Sequence, residues 1–426
     1  MAYTVTTSIS WFDRLGSSFR GIGFGIALII AGTTLLWWNE GDFVTTGNAL
    51  HEAKAVTQEL GDISKLDASK NGQLVHAIGP VATRDTLVDP IFGFSINAIH
   101  LERKVEFYQW VQEERRKKKE KTGGGEETVT TYTYKQKWVR RPVNSSEFKA
   151  PDAQRIHRNF VLANMENLKA QATDVAFGAY RLPAYMINAI SGAVPLNVAI
   201  PAEKLYALNK ESIDAARESR KRLPQSVGDA ALKAPVEDTQ RMVHVSGNTV
   251  LFSMSPSMPQ IGDLRITFKE TRPGTVSILG KVVSDTFEQY RAGNGTTVSR
   301  LVMGTHSLDN MYADVHSSSF VMTWILRLVG TFVVIIGLGI IVAPLAVIAG
   351  VIPLLGGIVW GAAALVSTLL GLAWSLVIIN MASLRFRPLI GIGMLAVAGA
   401  LIALMYFKRS RKAVKAEKMS SVVEMR

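Results

Sequence analysis

The chain has 426 residues, of which 48% are hydrophobic, with 47 Lys and Arg against 35 Asp and Glu, seven His and no Cys. That length allows more than one domain and the apolar content exceeds what a soluble globule needs, while the lack of cysteine excludes disulfides, Cys-ligated zinc, iron–sulfur clusters and thiol nucleophiles. The net charge of +12 does not mark a nucleic-acid binder: residues 39–319 carry 35 Lys and Arg against 32 Asp and Glu, a balance of +3, so the other +9 lies in the apolar flanks, where basic residues set membrane orientation.

In chain order, residues 1–20 hold Arg14 and Arg20 and are expected on the cytoplasmic side. Residues 21–38 are uncharged and long enough to span most of a hydrocarbon core of about 30 Å, which predicts transmembrane helix 1. The segment ends in Trp37 and Trp38, followed by Asn39, Glu40 and Gly41, with no small-residue cleavage pattern. It therefore reads as an uncleaved anchor whose paired tryptophans sit at the membrane interface.

Residues 39–319 read as a large, strand-rich α+β domain on the periplasmic or luminal side. Residues 101–111 and 128–139 alternate aromatic or β-branched residues with charges, the period-two pattern of a hairpin. The basic run 115–119 in its connection is flanked by Glu113, Glu114, Glu120, Glu126 and Glu127, so a solvated tip is expected. A helix is predicted over 202–223 with Leu205, Leu208 and Ile213 inward. Strands are predicted over 242–254, 263–270 and 275–285, with breaks at Pro256, Pro259 and Arg272-Pro273-Gly274.

Three further spans follow: transmembrane helix 2 over 320–341, helix 3 over 357–380 and helix 4 over 389–407. Between them lie 342–356, an apolar linker with Pro344 and Pro353 that reads as re-entrant or interfacial, and a short outer loop over 381–388 with Arg385, Arg387 and Pro388. The basic tail 408–426 is expected in the cytoplasm, which favours four spans over five. Small-residue spacings at Gly21/Gly25, Gly357/Gly361 and Ala396/Ala400 suit close helix packing. Arg327, two turns into its span beside Trp324, is read as snorkelling or bonded to a carbonyl, with an ion-path role as the alternative.

No catalytic constellation emerges. The histidines are scattered, no nucleophile elbow or phosphate-cradling loop is present, and neither a metal nor a cofactor is implied. The residues marked out as interface or packing candidates are Trp37, Trp38, Asn39, Glu40, Gly41, Trp324, Arg327, Gly357, Gly361, Arg387 and Pro388.

Several strings, in order along the chain, resemble the LUMA (transmembrane protein 43) family. They are Trp37-Trp38-Asn39-Glu40-Gly41, residues 105–111, Thr131-Tyr132-Thr133-Tyr134 with Lys137-Trp138, Asn144-Ser145 with Phe148, residues 261–265, Thr323-Trp324 with Leu326-Arg327 and Gly330, and Arg387-Pro388-Leu389. The resemblance implies four spans, cytoplasmic termini and a luminal or periplasmic domain, and no catalytic residue. Animal members reside in the endoplasmic reticulum and inner nuclear membrane and are regarded as self-associating scaffolds that engage nuclear-envelope proteins such as emerin and lamins. Residues 342–356 are more polar in those members. Their apolar character here points to a prokaryotic protein of an inner membrane, so the expected partners are lipid, further copies of the chain and other membrane proteins, with no nucleic acid.

Overall fold

A computed structural model describes residues 2–221, 236–388 and residue 392. The chain divides into two compact units, one of Met1–Thr7, Glu52–Lys119 and Glu127–Met311, the other of Ser8–His51, Glu120–Glu126 and Tyr312–Arg426.

The first unit contains two large sheets and two small two-stranded ones. In the eight-stranded one, strand β1 (Ala2–Ile9) lies beside the second arm of a long hairpin formed by β3 (His100–Glu120) and β4 (Glu126–Val139), whereas strand β2 (Leu74–Thr83) belongs to the seven-stranded sheet. Strand β5 (Leu264–Thr271) runs antiparallel to the base of β3, with Leu264 opposite Phe107 and Thr271 opposite His100. Alternate residues of these strands, Leu101, Val105 and Phe107 with Leu264, Ile266 and Phe268, are buried, as period-two side-chain alternation requires. The predicted helix forms as α2 (Ala202–Lys221) and adds Leu208, Ile213 and Ala216 to the same core.

Strand β6 (Thr275–Val283) pairs antiparallel with β2 in the seven-stranded sheet, Thr275 opposite Pro80 and Lys281 opposite Leu74. Val75, Ala77, Ile278 and Phe287 centre its core. The break at Arg272-Pro273-Gly274 is therefore the point where the chain leaves one sheet for the other. Strand β2 has no counterpart in the sequence reading, because its residues LVHAIGPVAT mix small and apolar types without clean alternation.

His157 Nδ1 and Gln260 Oε1 are buried without a hydrogen-bond partner, whereas the buried acids of this unit are engaged. Arg103 Nη1 donates to both oxygens of Asp89 at 2.6 and 2.7 Å, with both side chains almost fully buried. Burial pushes the Asp263 carboxyl up to about 7, against hydrogen bonds from the Gln260 N–H and Ser253 Oγ that hold it down. The fold thus favours neutral Asp263; that contribution is complete below the ordinary carboxylate range and is lost as pH rises through about 7.

The second unit is helical. Helix α1 (Trp11–Val56) runs 46 residues, about 69 Å at 1.5 Å per residue, well past the expected boundary at 38. Helix α3 (Leu308–Ala349) continues through Pro344, and α4 (Pro353–Phe386) starts on Pro353. The interruption expected at Pro344 does not form: residues 342–349 continue α3, and only 350–352 lie between it and α4. A proline is tolerated inside an apolar helix packed by neighbours, and Pro353 occupies a first-turn position where its missing N–H costs nothing. Only a tight turn separates the helices, with Gly350 N–H donating to Ala346 O at 3.0 Å. Most of the expected outer loop 381–388 is likewise the last turns of α4. The fourth span and basic tail, with Ala396 and Ala400, lie outside the described residues apart from residue 392.

The hairpin is longer than predicted; its basic run 115–119 is exposed as expected, while the turn beyond it is engaged. Arg14 Nη1 donates to Gly124 O at 2.6 Å, and Nη2 lies 3.0 Å from Glu120 and 3.9 Å from Glu126. Gly124 has φ +80° and packs on the Trp11 ring, whose Nε1 donates to Val347 O at 2.9 Å. The start of α1 and the hairpin tip therefore lie together. Arg14, one of the two basic residues before the first apolar run, is thus paired with Glu120 and lies near Glu126. In intact membrane vesicles, single cysteines replacing Thr7 and Gly123 in this Cys-free chain are expected to react with an impermeant maleimide from the same side; labelling from opposite sides contradicts the contact.

Candidate functional site

The apolar helices place one feature where elementary energetics says it is most costly. Among the described residues of the apolar runs 21–38, 320–349 and 353–384, Arg327 is the only ionisable side chain. A lone guanidinium in hydrocarbon is strongly unfavourable. Arg327 meets the carboxylate of Glu40, two residues past the paired tryptophans: Nε donates to Oε1 at 2.6 Å and Nη2 to Oε2 at 2.9 Å. The Glu40 side chain is 5% exposed and that of Arg327 20%. The Trp324 ring lies 4.8 Å from the guanidinium carbon, a cation–π contact that covers the open face of the pair. One residue before Glu40, Asn39 donates from Nδ2 to Thr323 O at 3.2 Å.

Glycine lets the two helices approach closely enough for this. A methyl group at Gly25 would stand 2.7 Å from Gly337 O, and one at Gly337 would stand 2.7 Å from Gly25 O. One heptad along, a methyl group at Gly32 would meet Gly330 O at 2.9 Å, and one at Gly330 would meet Leu36 at 2.8 Å. The helices run antiparallel, so residues 25 and 32 on one face 337 and 330 on the other, and small residues on facing seams allow backbone-to-backbone packing. Helix α4 joins them through Gly371 against Ile335 and through Trp374 Nε1, which donates to Thr33 Oγ at 2.9 Å.

The structure brings most of the sequence-marked residues together. Trp37 meets Phe386 edge-on at 6.2 Å, Gly41 sits against the same ring, and Arg387 lies 4.6 Å from the centre of the Phe43 ring. Trp38 is exposed, as is Pro388, two residues beyond the end of α4. Gly357 and Gly361 face open space among the described residues: an added methyl group at either meets nothing within 4 Å. Arg327 neither snorkels nor seeks a carbonyl. Glu40 was singled out as a boundary residue; the signal of its pairing was the presence of one carboxylate and one guanidinium at the ends of otherwise uncharged helices. The heptad glycines Gly32, Gly330 and Gly337 were missed because glycine is common in any spanning helix.

Beside this cluster lies a cavity of about 530 Å³ lined by Thr33, Thr34, Trp37, Trp38, Gly41, Asp42, Thr45 and Phe386. In the strand-rich unit a cavity of about 390 Å³ includes His100, Glu102, Lys169 and Asn188. There Lys169 pairs with Glu102 at 3.3 Å, and burial, then Lys169, lowers the His100 pKa against the pull of Glu102. Among the described residues no group of three or more His, Cys, Asp and Glu could hold a metal ion.

Apolar helices packed through glycine and one internal ion pair, joined to a strand-rich domain inserted between them in sequence, define an integral membrane protein with at least three helices long and apolar enough to cross a bilayer. The profile of the family "Transmembrane protein 43" matches residues 107–388, and the chain belongs to that family. Transmembrane protein 43 of Rattus norvegicus is 25% identical over 340 residues, covering 78% of this chain and 75% of its own. The Homo sapiens protein is 24% identical over the same coverage, and the Drosophila melanogaster homolog is 25% identical over 318 residues, 74% of each chain. No solved structure matches the chain.

If the glycine seam sets the helix spacing, Gly25→Leu and Gly337→Leu each lower the thermal unfolding midpoint in detergent by at least about 3 °C, because overpacking against a backbone oxygen has no soft neighbour to yield. Gly361→Leu, facing open space, leaves the midpoint within about 1 °C. Equal shifts in all three would remove the seam.

Proposed function

We propose that the chain is a non-enzymatic membrane scaffold: a rigid helix platform that self-associates and organises lipid or membrane-protein partners around its strand-rich domain. The observation that carries this reading is the Glu40–Arg327 pair. It joins the helix that precedes the domain in sequence to the helix that follows it, and it consumes the one charge that argued for an ion path. Conducting paths use ionisable groups free to meet water and ions; a guanidinium bonded twice to a buried carboxylate and covered by Trp324 serves rigidity instead. The exposed apolar residues of α1, α3 and α4, among them Phe24, Ile30, Phe332, Leu345, Leu365 and Leu369, offer surfaces for lipid or for further copies of the chain.

An enzyme acting on lipid or envelope precursors needs converging acid and base groups. The cavity at His100 supplies one histidine and a glutamate already engaged by Lys169, which favours the scaffold over the enzyme.

Mass photometry or native mass spectrometry of the full chain in lipid discs tests the proposal. A defined oligomer that persists on dilution is expected. A monomer in both detergent and lipid discs contradicts self-association and with it the scaffold.

A further inference from the structure

The cavity beside the ion pair has an unusual lining for a membrane boundary. Its inner end, Thr33, Thr34 and Trp37, belongs to the uncharged run that crosses the hydrocarbon, and its outer end, Gly41, Asp42 and Thr45, lies beyond the paired tryptophans. Three aromatic rings border it, Trp37, Trp38 and Phe386, and the single charged group is the Asp42 carboxylate. Asp42 forms no ion pair among the described residues, whereas neighbouring Glu40 and Arg387 are engaged by Arg327 and by the Phe43 ring. Thr45 Oγ donates within its own helix, to Gly41 O at 3.0 Å and Asp42 O at 3.1 Å, and Thr33 Oγ accepts from Trp374. The walls are thus fixed by contacts of their own, and the Trp37 ring is held edge-on to Phe386.

Aromatic faces with a nearby carboxylate recognise ammonium groups, because the ring quadrupole and the anion both attract a cation that is weakly hydrated. A soluble amine would fill only the outer end. A molecule with an acyl chain against Thr33, Thr34 and Trp37 and a cationic head at Asp42 fills both, and tryptophans at a membrane boundary sit at headgroup level. We propose that this cavity is a binding site for one amine-headed phospholipid, a phosphatidylethanolamine or phosphatidylcholine, with its ammonium group held by Asp42 and the Trp37, Trp38 and Phe386 rings. The proposal deepens the scaffold reading by naming the lipid class at one site, and it is read out by lipid identity and not by oligomer size, so either can fail without the other.

The test uses the full chain in discs of 1:1 phosphatidylethanolamine and phosphatidylglycerol, followed by native mass spectrometry of the lipid retained after release. Wild type is expected to retain phosphatidylethanolamine over phosphatidylglycerol by about tenfold, the scale of a partly desolvated cation–π contact. Asp42→Asn and Trp38→Ala each bring the ratio to near one, while Trp360→Ala, an exposed tryptophan elsewhere on α4, leaves it unchanged. Circular dichroism of each variant separates loss of the site from loss of the fold. Equal retention of the two lipids by wild type overturns the proposal. So does a preference that survives Trp38→Ala but not Asp42→Asn, which would mean simple charge attraction, or displacement of the lipid by millimolar choline, which would mean a site for a free ammonium ion.

Discussion

The membrane portion depends on a single buried ion pair. Removing charge from water is costly, and a carboxylate and guanidinium inside an apolar helix pair are stable only when their geometry is good and their remaining hydrogen-bonding capacity is met. Glu40 and Arg327 meet that requirement by two parallel hydrogen bonds and a stacked tryptophan, the fork-to-fork arrangement in which arginine outperforms lysine. Once paired, the two charges fix the register of α1 on α3. A slip by one residue would leave both unpaired in a low-dielectric surrounding, so the pair specifies which glycines face each other. Apolar packing alone does not choose between nearby registers. The glycine seam and the ion pair are therefore complementary: one sets distance, the other sets position.

The strand-rich unit solves a different problem, that of two sheets in one stretch of chain. Its strands divide at Arg272-Pro273-Gly274, with β5 continuing the hairpin sheet and β6 pairing with β2, far earlier in the chain. A buried charge there is held in a similar way, by Asp89 against Arg103, so each unit carries a buried arginine–carboxylate pair.

Much of this was legible in the sequence, and the losses have specific causes. Hydropathy found α1, α3 and α4 because lipid demands long uncharged runs, and alternation found the hairpin and β5. The linker around Pro344 was misread because proline breaks helices in water, where nothing else holds the turn, yet is carried within packed apolar helices. The exposure of the basic run 115–119 was legible, but the pairing of Arg14 with Glu120 was not, because the two are more than a hundred residues apart and look like two solvated charges until the fold joins them. Of the site, the boundary residues 37–41 and Arg327 stood out singly, and composition could not say that Glu40 and Arg327 are each other's partner. The Asp42 cavity was invisible for the same reason: its rings come from two helices separated by more than three hundred residues.

The central claim, that the Glu40–Arg327 pair holds α1 against α3, is tested most directly by a double-mutant cycle with Glu40→Leu, Arg327→Leu and the two combined, scored by steric-trap or denaturant unfolding in bicelles. Each single change should cost about 3–5 kcal/mol by leaving one charge buried and alone, and the combined change should recover most of that loss because neither charge remains. Losses that simply add, or single variants as stable as the parent, would contradict the account.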